Sequence, residues 1–385
     1  MKKTIDVNFF SERETELAQI QKWMFQENCR LVVILGAAGI GKAVFAIKLV
    51  QTIQENFDSV IWRSLNFAPP VEKLLSELIQ FFSPNSTEVN TKIGISHLLD
   101  CVSTSRCLII LDNLDTILGN KYSDQHQDFP FSANTAFYSL PHISYRQGYE
   151  DYEELIRCLV EAQHQSCLLL ITREKPTEIV EWEGKNLPVR CLKLTGLSQE
   201  GICKILADTG LIELDEEIGR EITKLYAGNP LFVKLVAHSI QELFDGKIQT
   251  FLKQEMLVLG DMKVILDQQF QRLSNLEKQI MSCLAINSEP ASLAAIKSSI
   301  LPQSPPKLIL KGIELLQKRS LMARQGAGFT CDPVWREYIV EKLIEENWKF
   351  SVEKANSFLP IAHAFLEKQL KNHLRANRLN AKNFR

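Results

Sequence analysis

Three short runs in the first half of the chain are apolar at every position: LVVIL at 31–35, CLIIL at 107–111 and CLLLI at 167–171. Runs of this length fit parallel strands buried on both faces. Between them the apolar residues fall at helical spacing. Leu17, Ile20 and Met24 mark a helix over 12–27, and Leu74, Leu75, Leu78 and Ile79 mark one that starts at Pro69-Pro70. Further helices are expected over 91–102 and 151–163, and further strands over 59–62 and 189–194. Strands alternating with helices predict an α/β domain with a mostly parallel sheet.

Beyond Leu197 the period is helical only, over 199–207, 215–226, 231–243 and roughly 261–317. A turn at Ala227-Gly228-Asn229-Pro230 separates two of these helices. Near the end, two short strands are expected at 320–324 and 328–331, around Gln325-Gly326-Ala327, followed by a helix over 334–346. That order suggests a winged-helix unit. From 119 to 147 the periodicity vanishes and the segment is polar and aromatic, which predicts a surface insertion. The expected organisation is an entry helix (1–29), an α/β domain (30–195) with an insertion at 119–147, a helical domain (196–260), a winged-helix domain (261–350) and a basic tail (351–385).

The first apolar run leads into Gly36-Ala37-Ala38-Gly39-Ile40-Gly41-Lys42, which has the spacing of a phosphate-binding loop. Such a loop aims several backbone N–H groups into one concavity, and Gly36, Gly39 and Gly41 can take the positive φ angles this needs. The helix that follows adds a partial positive charge at the same spot, and Lys42 adds a full one. At ~4 Å and an effective dielectric near 20, one such charge pair is worth about 4 kcal/mol before desolvation. The pattern departs from the motif at one position. Ala43 stands where a Ser or Thr hydroxyl would ligate Mg²⁺. The cradle for phosphate is therefore expected to be intact and the metal side impaired.

Two other strand ends carry candidate chemistry. Asp112 ends the second apolar run, where phosphate-loop NTPases keep a Mg²⁺-holding aspartate. Asn113 follows it, so no carboxylate stands next to it as a base; Asp115 is the nearest acidic alternative, or a helix cap. Arg173, just past the third run, could sense a terminal phosphate.

Charge and cysteine content narrow the partners. The formal net charge of the 385 residues is −2, which argues against nucleic acid as the default partner, although 368–385 is basic without an acidic residue. No apolar run approaches the length of a membrane span, and the N-terminus has no apolar signal region. Nine scattered cysteines without a CxxC pair read as reduced thiols of a cytoplasmic protein, and the histidines lack metal-ligand spacing.

Taken together, these stretches resemble the NB-ARC branch of the STAND class of signal-transduction NTPases, in particular multidomain proteins of cyanobacterial type. The matching residues are Phe10 with Arg13 and Leu17, GAAGIGK at 36–42, VIWRSL at 60–65, CLIILDN at 107–113, LLLITR at 168–173 and YAGNPL at 226–231. The resemblance implies a switch in which ADP closes the molecule and exchange for ATP opens it for oligomerisation. It implies that Gly36–Gly41 (with Ala37, Ala38 and Ile40), Lys42, Ala43 and Arg13 line the nucleotide, Asp112 holds the metal, Arg173 senses the γ-phosphate and Pro230 packs on the adenine. It also implies self-association or partner signalling proteins. The sequence departs from the pattern at Ala43, at Glu12 in place of a glycine, at Cys331-Asp332-Pro333 where a His-Asp pair is usual, and in the length of 119–147. The family's usual effector and sensor repeats are not found in these 385 residues, so a bare core is expected.

The leading expectation is an adenine-nucleotide switch core that binds ADP or ATP, holds Mg²⁺ weakly or not at all, and hydrolyses poorly. Two alternatives stay open: a working Mg²⁺-dependent ATPase, and a DNA-binding regulator using the winged helix. Against the latter, residues 334–347 hold Arg336 and Lys342 among several glutamates, a poor stripe for phosphates.

Overall fold

A computed structural model describes residues 12–83, 91–121, 142–211, 214–254, 256–287, 289–300 and 304–353. Phe10, the middle of the expected insertion (122–141) and the basic segment at 368–385 lie outside the described residues. The chain divides into two units, Met1–Thr195 and Gly196–Arg385.

The first unit is built on a five-stranded parallel sheet. Its strands are β1 (Leu31–Leu35), β2 (Ser59–Ser64), β3 (Cys107–Asp112), β6 (Cys167–Thr172) and β7 (Val189–Lys193), in the order β2-β3-β6-β1-β7. Two short strands outside it, β4 (Leu118–Lys121) and β5 (His142–Tyr145), complete the numbering. The three apolar runs form the centre of the sheet. Val32, Ile34, Leu108, Ile110, Leu169 and Ile171 share one core with Leu17, Ile20 and Met24 of the helix Glu14–Phe25 and with Phe45, Ala46 and Leu49 of the helix Lys42–Ile53. The alternate residues, such as Val33, Ile109 and Leu170, are buried as well. Burial on both faces is why these strands carry no polar alternation. At the edge, β2 is only partly covered, and Ser59, Arg63 and Ser64 enter it.

Three local features differ from the sequence expectation. First, the nonperiodic segment is bracketed by structure: β4 and β5 pair antiparallel, Leu118 opposite Tyr145 and Lys121 opposite His142. These strands are four residues each and their partners lie more than twenty positions apart, so no local period announces them. Second, Glu12 has φ 73°. This is the left-handed conformation that suits the glycine usual there, and an L side chain adopts it at a cost of roughly 1–2 kcal/mol. Third, the helix after it starts at Glu14, with Arg13 as an N-cap that makes no side-chain cap.

Among its described residues the second unit is helical apart from one hairpin. Helices at Gln199–Asp208, Glu216–Leu225, Pro230–Phe244, Gly260–Phe270, Asn275–Ile286, Pro306–Lys318 and Pro333–Glu353 contribute to one continuous hydrophobic cluster. The cluster runs from Ile202 to Val340 and includes Tyr226, Phe251, Met262 and Tyr338. Two buried carboxylates staple it. Glu277 caps its own helix with Ser274 and pairs with Arg319 at 3.0 Å, both buried. Glu337 accepts hydrogen bonds from the backbone N–H groups of Leu257 and Val258 at 2.5 and 2.9 Å, tying the last helix to that segment. Strands β8 (Ala323–Gln325) and β9 (Gly328–Thr330) form an antiparallel hairpin, and β9 bridges back to Ala291.

Candidate functional site

The phosphate loop leaves the C-terminal end of β1. Its glycines serve two different purposes. Gly39 and Gly41 sit at φ 77° and 94°, left-handed positions in which a side chain is strained. Gly36 is needed for close approach: a Cβ there would lie 2.8 Å from Ile40 Cγ2 and 3.0 Å from the Leu194 carbonyl oxygen. The helix Lys42–Ile53 starts directly after the loop. Gly41 is its N-cap, and no side chain caps it. A helix N-terminus left to backbone amides and followed by a cation is suited to an anion.

Lys42 folds over its own loop. Its Nζ donates to the carbonyl oxygens of Gly36 and Ala37 at 2.8 and 2.9 Å. Burial lowers its pKa to about 8; Asp115 and Asp112 oppose that shift and Arg173 reinforces it. Asp115, Arg173 and Asp112 are thus all within electrostatic reach of Lys42, although up to 131 positions separate them from it in the sequence.

The parallel sheet assembles this quartet. In the register of the strands, Leu35 stands beside Thr172, Ile171 beside Asp112, and Asp112 beside Ser64. The residues that follow each strand therefore share one edge, the place where open α/β sheets bind ligands. Arg173 follows β6 there. Past Asp112, Asn113 turns left-handed at φ 62° and its amide donates to Ser64 Oγ at 3.3 Å. A 3-10 turn, Leu114–Ile117, then buries Asp115. Asp115 Oδ1 accepts the backbone N–H of Arg173 at 3.2 Å, and Oδ2 lies 3.6 Å from Arg173 Nε.

Arg13 approaches the loop from its buried side. Its guanidinium donates to the carbonyl oxygens of Ile40 at 3.2 Å and Thr195 at 2.8 Å, with Glu16 at 3.7 Å. Burial lowers its pKa, and Glu16 and Glu12 counter it. In this arrangement Arg13 braces the loop through backbone carbonyls. Ala37, Ala38 and Ile40 carry no polar side chain, so they offer only backbone groups.

Pro230 belongs to the second unit, where it is the first residue of the helix Pro230–Phe244. The turn before it satisfies itself. Asn229 accepts from Leu231 N–H at 3.1 Å and Phe232 N–H at 3.4 Å, Gly228 accepts from Leu197 N–H at 2.8 Å, and buried Tyr226 donates to the Leu257 carbonyl at 3.1 Å.

The donor set distinguishes what the site can hold. Glycine geometry, loop amides and Lys42 fit phosphates. For a divalent cation, Asp112 offers a carboxylate at the sheet edge, while Ala43, the second residue of the helix, offers no oxygen. Among the described residues no group of three or more His, Cys, Asp or Glu forms a metal site. In sequence Asp115 has no visible partner, and Ser64 carries no functional signal of its own. The clue to both is their place at or just past the end of a strand, but only the sheet shows what they face.

Residues 13–122 match the model of the NB-ARC domain. The chain carries an NB-ARC domain. It is 40 % identical over 355 residues to an uncharacterized WD repeat-containing protein of Nostoc sp., an alignment covering 89 % of this chain and 27 % of that protein. The chain thus spans about a quarter of the length of this curated relative. Among solved structures it is similar to a Walker-type ATPase of Pyrococcus abyssi, with 14 % identity and a TM-score of 0.55 over 86 % of this chain and 96 % of the other. That likeness shows the P-loop NTPase fold. A STAND protein with a tetratricopeptide-repeat sensor from Pyrococcus horikoshii aligns at 17 % identity and a TM-score of 0.41, over 95 % of this chain and 50 % of the other. The NB-ARC match ends well before β6, so Arg173 joins the domain's phosphate loop through sheet pairing. No helix among the described residues is long and apolar enough to cross a membrane, and all nine cysteines are free thiols.

Proposed function

We propose that this chain is the core of an adenine-nucleotide signalling switch, binding ADP tightly and hydrolysing ATP slowly or not at all. The observation that carries the reading is the phosphate loop with Lys42 at the sheet edge, beside Arg173 and Asp112, combined with Ala43 in place of a metal-ligating hydroxyl. In this proposal the amides of Gly36–Gly41 and Lys42 hold the phosphates, and Arg173 contacts the terminal one. Asp112 would face a Mg²⁺ ion, which when bound supplies charge neutralisation between phosphates. Arg13 holds the loop in shape. Pro230 packs on the adenine, a role supported by the YAGNPL resemblance. The hairpin β8–β9, with helices before and after it, supports a winged-helix assignment for the end of the second unit. The reading includes self-association and signalling-protein partners in the cytoplasm; the NB-ARC match and the WD repeats named for the Nostoc relative support protein partners.

Phosphoryl transfer depends on positioning and charge stabilisation, so a metal anchored only at a distance harms turnover more than ground-state binding. Calorimetry of ADP and ATP with and without Mg²⁺, in wild type and Ala43→Thr, tests this. The expected result is ADP affinity nearly insensitive to EDTA, turnover near background, and a Mg²⁺-dependent gain in ATP affinity only in Ala43→Thr. A large Mg²⁺ enhancement in wild type that Ala43→Thr does not increase would overturn the metal-impaired reading.

A further inference from the structure

We infer that Asp115 is the latch of this site: a positioning residue that holds Arg173 away from a third phosphate and so biases the chain toward the diphosphate. The inference rests on the nucleotide-site reading and adds the residue that sets its preference.

The two contacts between Asp115 and Arg173 differ in kind. The carboxyl oxygen that accepts the Arg173 backbone N–H at 3.2 Å fixes the chain after β6 to the turn after β3. The other oxygen, 3.6 Å from Nε, is beyond hydrogen-bond range and forms an ion pair only. The backbone tie therefore survives if the guanidinium swings away. The pair is also lopsided in exposure. The Asp115 side chain is 5 % exposed and that of Arg173 33 %. The arginine can move into solvent or onto a ligand, while the carboxylate cannot follow and depends on the cations around it. A buried charge that loses its partner is costly, which sets the strength of the latch.

Asp115 serves a second cation too. Among charged neighbours it acts most strongly on Lys42, ahead of Arg173 and Asp112. Two cations, Lys42 and Arg173, thus face two carboxylates, Asp112 and Asp115. A diphosphate on the loop draws on Lys42 and the amides. A third phosphate needs Arg173 as well, and Asp115 competes for it with a fixed negative charge. Asp115 therefore penalises the triphosphate more than the diphosphate. A metal-ligand role for Asp115 predicts the opposite sign.

The test is ADP and ATP affinity by calorimetry in the wild-type full chain, Asp115→Asn, Arg173→Gln and the double variant. The asparagine keeps an amide oxygen for the Arg173 backbone N–H and removes the charge. The expected result is a rise in the ATP-to-ADP affinity ratio of about fivefold or more in Asp115→Asn, the low end of ordinary coupling between sites. The double variant should show a much smaller rise relative to Arg173→Gln alone. Arg173→Gln by itself, at a part-exposed position, should lower the ratio, which keeps the idea testable if Asp115→Asn folds poorly. An unchanged ratio in Asp115→Asn or in Arg173→Gln overturns the latch, as does a fall in ATP affinity relative to ADP in Asp115→Asn. If wild type binds ADP in a Lys42-dependent way and these ratios do not move, the latch alone fails. If wild type binds neither nucleotide, the nucleotide site fails and the latch with it.

Discussion

The chain contains two turns that look alike in sequence and do opposite things. One is Gly36–Gly41 before the helix Lys42–Ile53; the other is Ala227-Gly228-Asn229 before the helix Pro230–Phe244. Both reach the helix through left-handed residues, Gly39 and Gly41 in the first, Ala227 and Gly228 in the second. They differ in the cap. Asn229 accepts two backbone N–H groups of its helix, and Pro230 at the first position has no N–H to satisfy. Gly41 has no side chain to offer, and a lysine follows it. A capped helix start is complete in itself; an uncapped one next to a cation is made for an anion. The residues Tyr226–Asn229 thus have a structural explanation that owes nothing to a ligand, while the uncapped start of the helix Lys42–Ile53 does not.

Removing the charge of the first turn should have the largest effect. Lys42→Ala is expected to weaken ADP binding tenfold or more, about 1.4 kcal/mol at least, without lowering the melting temperature. Equal affinities in wild type and variant would erase the distinction between the turns.

Protonation of the same lysine sharpens the comparison. Its pKa in the free protein is lowered to about 8, so above that pH the free site holds a neutral amine. Binding phosphate then requires proton uptake. ADP affinity should be flat below about pH 8 and fall as pH rises further, by up to about tenfold per unit while the complex stays protonated. Titrations across pH 7–10 in buffers of different ionisation enthalpy check both the fall and the proton uptake. A profile flat through pH 10 would show that Lys42 does not meet the ligand as a cation. The linked stability has its own sign. Between pH 8 and the unfolded value the unfolded chain binds more protons, so this group adds stability as pH rises.

The smallest effects belong to the second turn. Asn229→Ala should cost about 1 kcal/mol of stability, and Asn229→Gly only a few tenths, because glycine is itself a tolerated N-cap. In thermal melts the alanine variant should drop by roughly 2–4 °C. Neither variant should alter the pH dependence of ADP binding. If Asn229→Ala cuts ADP affinity as deeply as Lys42→Ala while the melt stays in place, the second turn is a ligand site after all.

Much of the fold was legible because its signals are local. β1, β3 and β6 announce themselves as uninterrupted apolar runs, since a strand covered on both faces has no use for polar residues. The helices announce themselves by period. What stayed illegible depends on partners far along the chain. β4 and β5 are four residues each and find each other across a nonperiodic segment. Arg13 resembles a nucleotide contact in sequence, and only the fold shows that its guanidinium also donates to the carbonyls of Ile40 and Thr195. Glu12 keeps the left-handed backbone of the glycine it stands in for, which no side-chain reading would reveal.

By itself the sequence determined the α/β sheet, the helical second half and the phosphate loop, because burial, period and glycine geometry are written residue by residue. It also determined the missing hydroxyl at Ala43, a matter of identity alone. Only the tertiary structure decided that Asp115 faces Arg173 and that both act on Lys42. Electrostatic partners are chosen by distance in space. Here that distance is set by a parallel register that brings the ends of β1, β3 and β6 to one edge.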